Sequence, residues 1–329
     1  MAAARRPARD VLVVGPNLTI DRTLSTDELR PGGATAISKV IVTAGGKGVN
    51  VARAARFLGL RATVTGLLAG HMGRAAADLL RDEGIDLVGV SVPGELRFAL
   101  IILEDGGRAT VLNEPGPVLA EEHWLGYEAA SVEAFEDHAI VVCSGSLPPG
   151  APADGYARIV RAARERGRVV IVDAAGPPLV EALEHGPDAV CPNLAEAEGV
   201  LLGGGEETVS APADARDRSI SAAEALVGHG ARAAIVTAAS AGVAIADREN
   251  RSGRWIAAPA VTVSNPMGAG DAFAAGLAAG FARGSAVDQA ARFAVGVASA
   301  SVEHDRAGWL DAGRASELAG TTDVDSPPA

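Results

Sequence analysis

Short runs of apolar, mostly β-branched residues recur along the chain between Ala-, Leu- and Arg-rich stretches of helical spacing. They are VLVVG (11–15), ATVTGLL (62–68), AIVVCSG (139–145), VVIVDAAG (169–176), DAVCPN (188–193) and AAIVTAA (233–239). Runs this apolar and this short predict strands buried on both faces, and their alternation with helices predicts a mostly parallel sheet covered on each side, an α/β fold of three layers. Ligands of such open sheets gather beyond the carboxyl ends of the strands. Polar residues near those ends are therefore candidates for chemistry: Asn17 and Asp21, Ser144 and Ser146, Asp173, Asn193 and Thr237.

Two stretches break the rhythm. ISKVIVTA (37–44) and LVGVSVPGELRFALIILEDGGRATVLNEPGP (87–117) have strand periodicity with no helix between strands, and EDGGR reads as a hairpin turn. They predict a small antiparallel sheet inserted into the α/β body, a β lid drawn from about 34–44 and 87–114. Residues 10–310 read as a single domain, with 1–9 and 321–329 as flexible tails. No internal repeat or long linker divides the chain.

Composition narrows the partners. With 329 residues and 48% hydrophobic content the chain can bury a large core, and a net charge of −12 argues against nucleic acid, whose backbone calls for clustered Lys and Arg. Only two cysteines are present, Cys143 and Cys191, each in an apolar stretch, so a disulfide framework is not expected. The apolar run near the start is too short for a secretory signal, and no stretch reaches the ~18 apolar residues of a membrane span. The reading is a soluble, cytoplasmic protein acting on a small molecule.

The chemistry concentrates in NPMGAGDAFAAGLAAG (265–280), where Gly268, Ala269 and Gly270 precede Asp271 and a long uncharged run. A glycine turn entering a helix gathers unpaired N–H groups into an anion-binding nest. An acid there would repel a bound phosphate, unless it accepts the proton of the group attacking that phosphate, as phosphoryl transfer to a hydroxyl requires. Asp is also a favoured helix cap, and from this stretch alone both readings stay open. Other glycine motifs fail on spacing. GGKGVN lacks the P-loop interval and the hydroxyl after Lys47, Phe273 stands where a dinucleotide fingerprint needs its third glycine, and SGSLPPG is no nucleophile elbow.

Five motifs in order then carry a resemblance. AGGKGVNVARAARFLG (44–59), SGSLPPG (144–150), VDAAG (172–176), PNLAEAE (192–198) and NPMGAGDAFAAG (265–276) resemble the landmarks of the ribokinase-like, PfkB-type carbohydrate kinases over roughly residues 10 to 305. PNLTIDRTL (16–24), GELRFALIILEDGGRATVLNEPGP (94–117) and NPMGAGD are similar to the 1-phosphofructokinase and tagatose-6-phosphate kinase branch. The resemblance implies a ribokinase-like three-layer α/β/α fold with a β lid, and ATP and Mg²⁺ as co-substrate and cofactor. It also implies transfer of the γ-phosphoryl group to a ketohexose phosphate, fructose 1-phosphate first and tagatose 6-phosphate second. A homodimer formed through the lids, as in many relatives, is expected with it.

Carried over position by position, the resemblance makes Asp271 the general base, with the backbone of Gly268, Ala269 and Gly270 as anion hole. Asp21, Gly45, Gly46 and Asn50 would hold the sugar, with Ser144 a further contact. Arg97 and Lys39, arriving from the lid, would bind the phosphate it already carries. Asn193 and Glu196 would organise Mg²⁺ through water, and Thr237, Ala239 and Gly242 would line the nucleotide site with Asn193. For Lys47, a structural contact to the glycine turn and a substrate contact are both open. Two positions depart from the pattern. Cys191 replaces the Lys usual before PN, and Ala239 replaces a Gly beside the nucleotide. These departures leave room for a sugar-phosphate-binding protein without turnover, and a kinase of a nucleoside or unphosphorylated sugar is a third reading.

Overall fold

The computed structural model describes residues 10–203, 214–250 and 252–325. In chain order the elements begin with β1 (Asp10–Val14), β2 (Thr19–Thr26), β3 (Lys39–Gly45), α1 (Lys47–Phe57), β4 (Arg61–Ala69), α2 (Gly70–Asp82), β5 (Asp86–Val92), β6 (Arg97–Glu104), β7 (Ala109–Asn113) and α3 (Glu121–Glu133). They continue with β8 (Ile140–Ser144), α4 (Gly155–Glu165), β9 (Val169–Asp173), α5 (Gly176–Leu183), β10 (Ala189–Val190), α6 (Leu194–Leu202) and α7 (Ala215–Gly228). The last are β11 (Ala233–Thr237), β12 (Gly242–Asp247), β13 (Arg254–Ala257), α8 (Ala269–Ala282), α9 (Val287–Val302) and α10 (Ala312–Gly320).

Among the described residues nine strands form the main sheet in the order β13-β12-β11-β10-β9-β8-β1-β4-β5. From β11 to β5 the pairs are parallel, and β12 and β13 turn back antiparallel at one edge. The apolar runs become strands because each has a helix layer to bury against on both sides. Along β1, Val11 and Val13 join the core beneath α1, α8 and α9, while Leu12 and Val14 join the core beneath α3, α4 and α5. The uncharged run after Asp271 is the central helix α8, pressed so closely against α9 that a Cβ on Gly276 would stand 2.6 Å from the Ala294 Cα. Small residues are what allow that approach.

The lid is a four-stranded sheet in the order β3-β2-β6-β7, and it departs from expectation in two ways. First, residues 86–92 do not belong to it. The crossover through α2 returns the chain parallel to β4, and β5 pairs with β4 from Asp86 to Val92 as the edge of the main sheet. The chain leaves the body only at the turn holding Gly94 (φ 96°). Second, β2, read from the sequence only as a polar strand end, is an inner lid strand, antiparallel to β3 and parallel to β6, so the lid is mixed. The EDGGR turn does close the β6–β7 hairpin, the Glu104 N–H donating to the Arg108 carbonyl at 2.9 Å.

Of the two expected tails, residues 1–9 and 326–329 lie outside the described residues. Residues 321–325 are held to the body: Thr322 is buried, and Trp255 and Asp325 exchange backbone hydrogen bonds of 3.0 and 2.8 Å. Among the described residues no helix is long and apolar enough to cross a membrane.

Candidate active site

The chain enters α8 through Gly268 in the left-handed region (φ 82°, ψ 4°), a conformation that an L side chain adopts only with strain. The loop between α9 and α10 backs this turn, for a Cβ on Gly268 would lie 3.0 Å from the Ala307 Cβ. Helix geometry leaves the N–H groups of Ala269, Gly270 and Asp271 without i−4 carbonyls, and nothing stands within 4 Å of where a Cβ on Gly270 would point. The N-terminal turn is thus open to an incoming anion.

Asp271 sits in that first turn and is buried. Its Oδ2 accepts a hydrogen bond of 2.8 Å from Asn50 Nδ2 on α1. Burial raises its proton affinity most, the charge of Asp173 adds to the rise, and Lys47 and the Asn50 bond oppose it, leaving the carboxyl at about 7. A carboxylate poised near neutrality can both take and release a proton at working pH.

Opposite stands Asp21 on β2, on the face of the lid turned toward the body. Its carboxyl lies across Gly45, where an added Cβ would come within 2.0 Å of the carboxyl carbon. That overlap, rather than any turn, is why position 45 must be glycine. Burial lifts Asp21 to about 6 against the pull of Arg53 and Arg97, and its Oδ1 is buried without a hydrogen-bond partner. Gly46 (φ 96°) follows as the N-cap of α1.

Arg97 opens β6 beside this acid. Its Nη2 donates to the Asn17 carbonyl at 3.2 Å and its Nη1 to the Glu114 carbonyl at 3.4 Å, while Nε is buried without a partner. Burial lowers its affinity for its proton and Asp21 restores part of it. The resemblance implies that Lys39 shares a phosphate with Arg97. Lys39 is exposed at the start of β3, and its Nζ pairs with Asp305 at 2.9 Å in the loop between α9 and α10. Nearer the site, Asn17 donates to Ser146 Oγ at 3.0 Å.

Below the N-terminus of α8 lies a group of charges in which Asp173 is buried and Lys47 and Glu196 are partly exposed. Lys47 Nζ stands 2.9 Å from Glu196 Oε1 and 3.9 Å from Asp173 Oδ1. Asp173, Glu196 and Asp271 all strengthen the hold of Lys47 on its proton, Asp173 most of all, although burial opposes them. Asp173, at the end of β9, accepts from Ser144 Oγ at 3.0 Å, and burial raises its own proton affinity against the effect of Lys47. Asn193 and Glu196 form a reciprocal cap on α6: Asn193 Oδ1 accepts from the Glu196 N–H at 2.8 Å, and Glu196 Oε2 from the Asn193 N–H at 2.9 Å. The Cys191 thiol nearby is buried and neutral, its proton affinity raised by burial, and its Sγ is 3.9 Å from the Val172 carbonyl.

The expected nucleotide residues follow along the same sheet edge. Thr237 ends β11 and bridges to Asn193, Gly242 begins β12, and between them Ala239 is exposed at φ 47°, the single non-glycine residue with positive φ among those described. The structure therefore links Asp271 with Asn50, Asp21 with Gly45 and Arg97, and Glu196 with Asn193, while exposed Lys39 pairs with Asp305. The sequence marks Asp173 and Asn17 as polar strand ends but not their partners, and it does not mark Arg53 at all.

A buried carboxyl beside an open helix N-terminus, with acids and a lysine below it and a lid above, is an arrangement suited to moving a phosphoryl group onto a hydroxyl. The chain belongs to the pfkB family of carbohydrate kinases, whose family model matches residues 8–309. A 1-phosphofructokinase of Xanthomonas campestris pv. campestris is 33% identical over 275 residues, 82% of this chain and 83% of that protein. A tagatose-6-phosphate kinase of Staphylococcus epidermidis is 28% identical over 272 residues, 82% of this chain and 84% of the other. Among solved structures, a Thermotoga maritima chain described as a possible 1-phosphofructokinase superposes with a TM-score of 0.85 at 26% identity, covering 97% of this chain and all of that one (100%). The protein is thus a sugar-phosphate kinase with the ribokinase-like fold expected from its sequence.

Proposed function

We propose that the protein transfers the γ-phosphoryl group of ATP to a ketohexose phosphate, with fructose 1-phosphate as the first acceptor and tagatose 6-phosphate as the second. The observation that carries the reading is the buried Asp271 carboxyl, held near neutrality at the open N-terminus of α8. Asp271 takes the proton of the acceptor hydroxyl as its oxygen bonds to the γ-phosphorus. The bond from that phosphorus to the bridging oxygen breaks, and ADP leaves with the electron pair. The N–H groups of Ala269, Gly270 and Asp271 meet the charge on the moving phosphoryl group. Asp21, with a bare buried oxygen, accepts from a sugar hydroxyl, and Arg97, with a bare Nε, reaches the phosphate the sugar already carries. Relatives of both substrate names match at comparable length, so the sugar's stereochemistry is the finer part of the proposal.

Among the described residues no group of three or more His, Cys, Asp or Glu forms a metal cage. Mg²⁺ keeps most of its waters and needs few protein ligands, and the oxygen donors of Glu196 and Asp173 beside the phosphate side fit that habit. Glu196 and Asn193 would hold its waters, and the ion would neutralise charge on the nucleotide's phosphates. Thr237, Ala239 and Gly242 would line the nucleotide. The two free, buried cysteines suit a reducing cytoplasm.

For assembly we propose a homodimer through the lids. Register puts Val42, Arg22, Leu100 and Leu112 in one row across the sheet, with Val40 on the same face, opposite to that of Asp21. Val40, Val42 and Leu112 are exposed there, an apolar face suited to a second copy. Val42→Glu should move the protein to monomer mass in light scattering; an unchanged mass would exclude this interface.

The acceptor is tested by ADP release from MgATP across fructose 1-phosphate, tagatose 6-phosphate, fructose 6-phosphate, fructose and ribose. Turnover on one phosphorylated ketose supports the proposal, and preference for an unphosphorylated sugar refutes the role given to Arg97.

A further inference from the structure

Arg53 lies on α1 one turn beyond Asn50 and is 3% exposed. A buried charge of this kind is costly unless its donors are used, and here the partners come from four separate places. Nε and Nη2 grip Glu83 at the end of α2, at 2.5 Å to Oε2 and 2.9 Å to Oε1. Nη2 also donates to the Ala44 carbonyl on β3 at 2.7 Å, and Nη1 to the Ala307 carbonyl behind Gly268 at 3.1 Å. The remaining bond runs from Nη1 to Asn50 Oδ1 at 2.8 Å.

That last bond decides which way the Asn50 amide faces. With Oδ1 claimed by a donor, Nδ2 is the atom turned to Asp271, and it donates to Oδ2. Reversed, the amide would set its carbonyl oxygen against a carboxylate. We propose that Arg53 is a positioning residue for phosphoryl transfer. By fixing the Asn50 amide it keeps an N–H on one oxygen of the Asp271 carboxylate and leaves the other oxygen to take the acceptor's proton. The proposal rests on Asp271 being the base. It also narrows what Asn50 does for the sugar, since its oxygen and one of its N–H groups are engaged within the protein.

The test is Arg53→Lys, which keeps the charge but cannot span Glu83, Ala44, Ala307 and Asn50 with one ammonium group. Besides Asn50, the charged groups facing Asp271 are Asp173 from β9, Lys47 from α1 and Asp21 from β2, and the variant leaves all of them in place. Losing the N–H donor removes a force that favours the ionised carboxylate. The ascending limb of kcat, measured against pH at saturating sugar phosphate and MgATP, should move up by roughly half a unit or more. The loss of kcat should be several-fold at pH 6.5 and shrink at pH 8.5, with KM for the sugar phosphate little changed. Glu83→Gln, which loosens the anchor while keeping Arg53, should shift the limb the same way by less, and it carries the test if Arg53→Lys does not fold.

A limb that stays in place in the folded variant, whatever its unfolding midpoint, overturns the proposal and leaves Arg53 a structural ion pair. Full turnover in Asp271→Asn would instead overturn the base assignment and this proposal with it, so the two failures are distinguishable.

Discussion

Two buried acids face each other across the site, and they are left in different states. At the N-terminus of α8, Asp271 has its Oδ2 bonded to Asn50, Asn50 is bonded to Arg53, and Arg53 is bonded to Glu83. At the root of the lid, Asp21 has an oxygen with no partner and Arg97 an Nε with none. Buried polar atoms are left unpaired at a cost of ~1–3 kcal/mol each, so a cluster of them marks a place where a ligand completes the hydrogen bonding. In the proposed reaction the body side is assembled ahead of the chemistry, and the lid side awaits the sugar phosphate. Substitutions on the first side should therefore act on kcat, and on the second side on KM.

The largest effect expected is from Asp271→Asn, which should cut kcat by ~10²-fold or more and leave KM for the sugar phosphate within a few-fold, measured by steady-state kinetics. Loss of binding as well would mean the two sides are not separable. Arg97→Leu should raise KM for the phosphorylated ketose by roughly 10–100-fold, the worth of a charge-assisted hydrogen bond, and spare kcat. A kcat effect of similar size would place Arg97 among the residues that meet the reacting phosphoryl group.

A smaller effect concerns stability. Because burial raises Asp271 to about 7 and Asp21 to about 6 from ordinary carboxylate values, the fold binds protons that the unfolded chain has already lost. Stability from these groups is present below pH 4 and is lost as pH rises through 6 to 7. Asp271→Asn should accordingly melt above the wild type at pH 8 and lose that advantage near pH 5, in thermal unfolding at the two values; an equal difference at both would show that the acid is not raised. Smallest is Ala239→Gly. Relieving one left-handed L residue should add ~1 kcal/mol to unfolding in denaturant, and no gain would mean that loop contacts hold φ 47° without strain.

Much of the body was legible in the sequence because its strands are buried on both faces. VLVVG, ATVTGLL and AIVVCSG leave no other use for such runs, and β1, β4 and β8 lie where they fall. The turn before Asp271 was legible for a related reason, since few structures need small residues just before an acid and a long uncharged helix. The lid was read less well. A half-exposed strand such as β2 alternates weakly, and β5 looks like a lid strand until the α2 crossover forces it beside β4. Long-range pairs were beyond reach: Lys39 with Asp305, Lys47 with Glu196 and Arg53 with Glu83 join segments whose separation no local pattern records.

The proposed reaction turns on Asp271 taking the proton. Its most direct test is kcat against pH at saturating MgATP and sugar phosphate, in the wild type and in Asp271→Asn. Wild-type turnover should climb through a midpoint near pH 7, and the residual rate of the variant should show no such climb. A climb with the same midpoint in both proteins would assign the titration to another group and contradict the proposed role of Asp271.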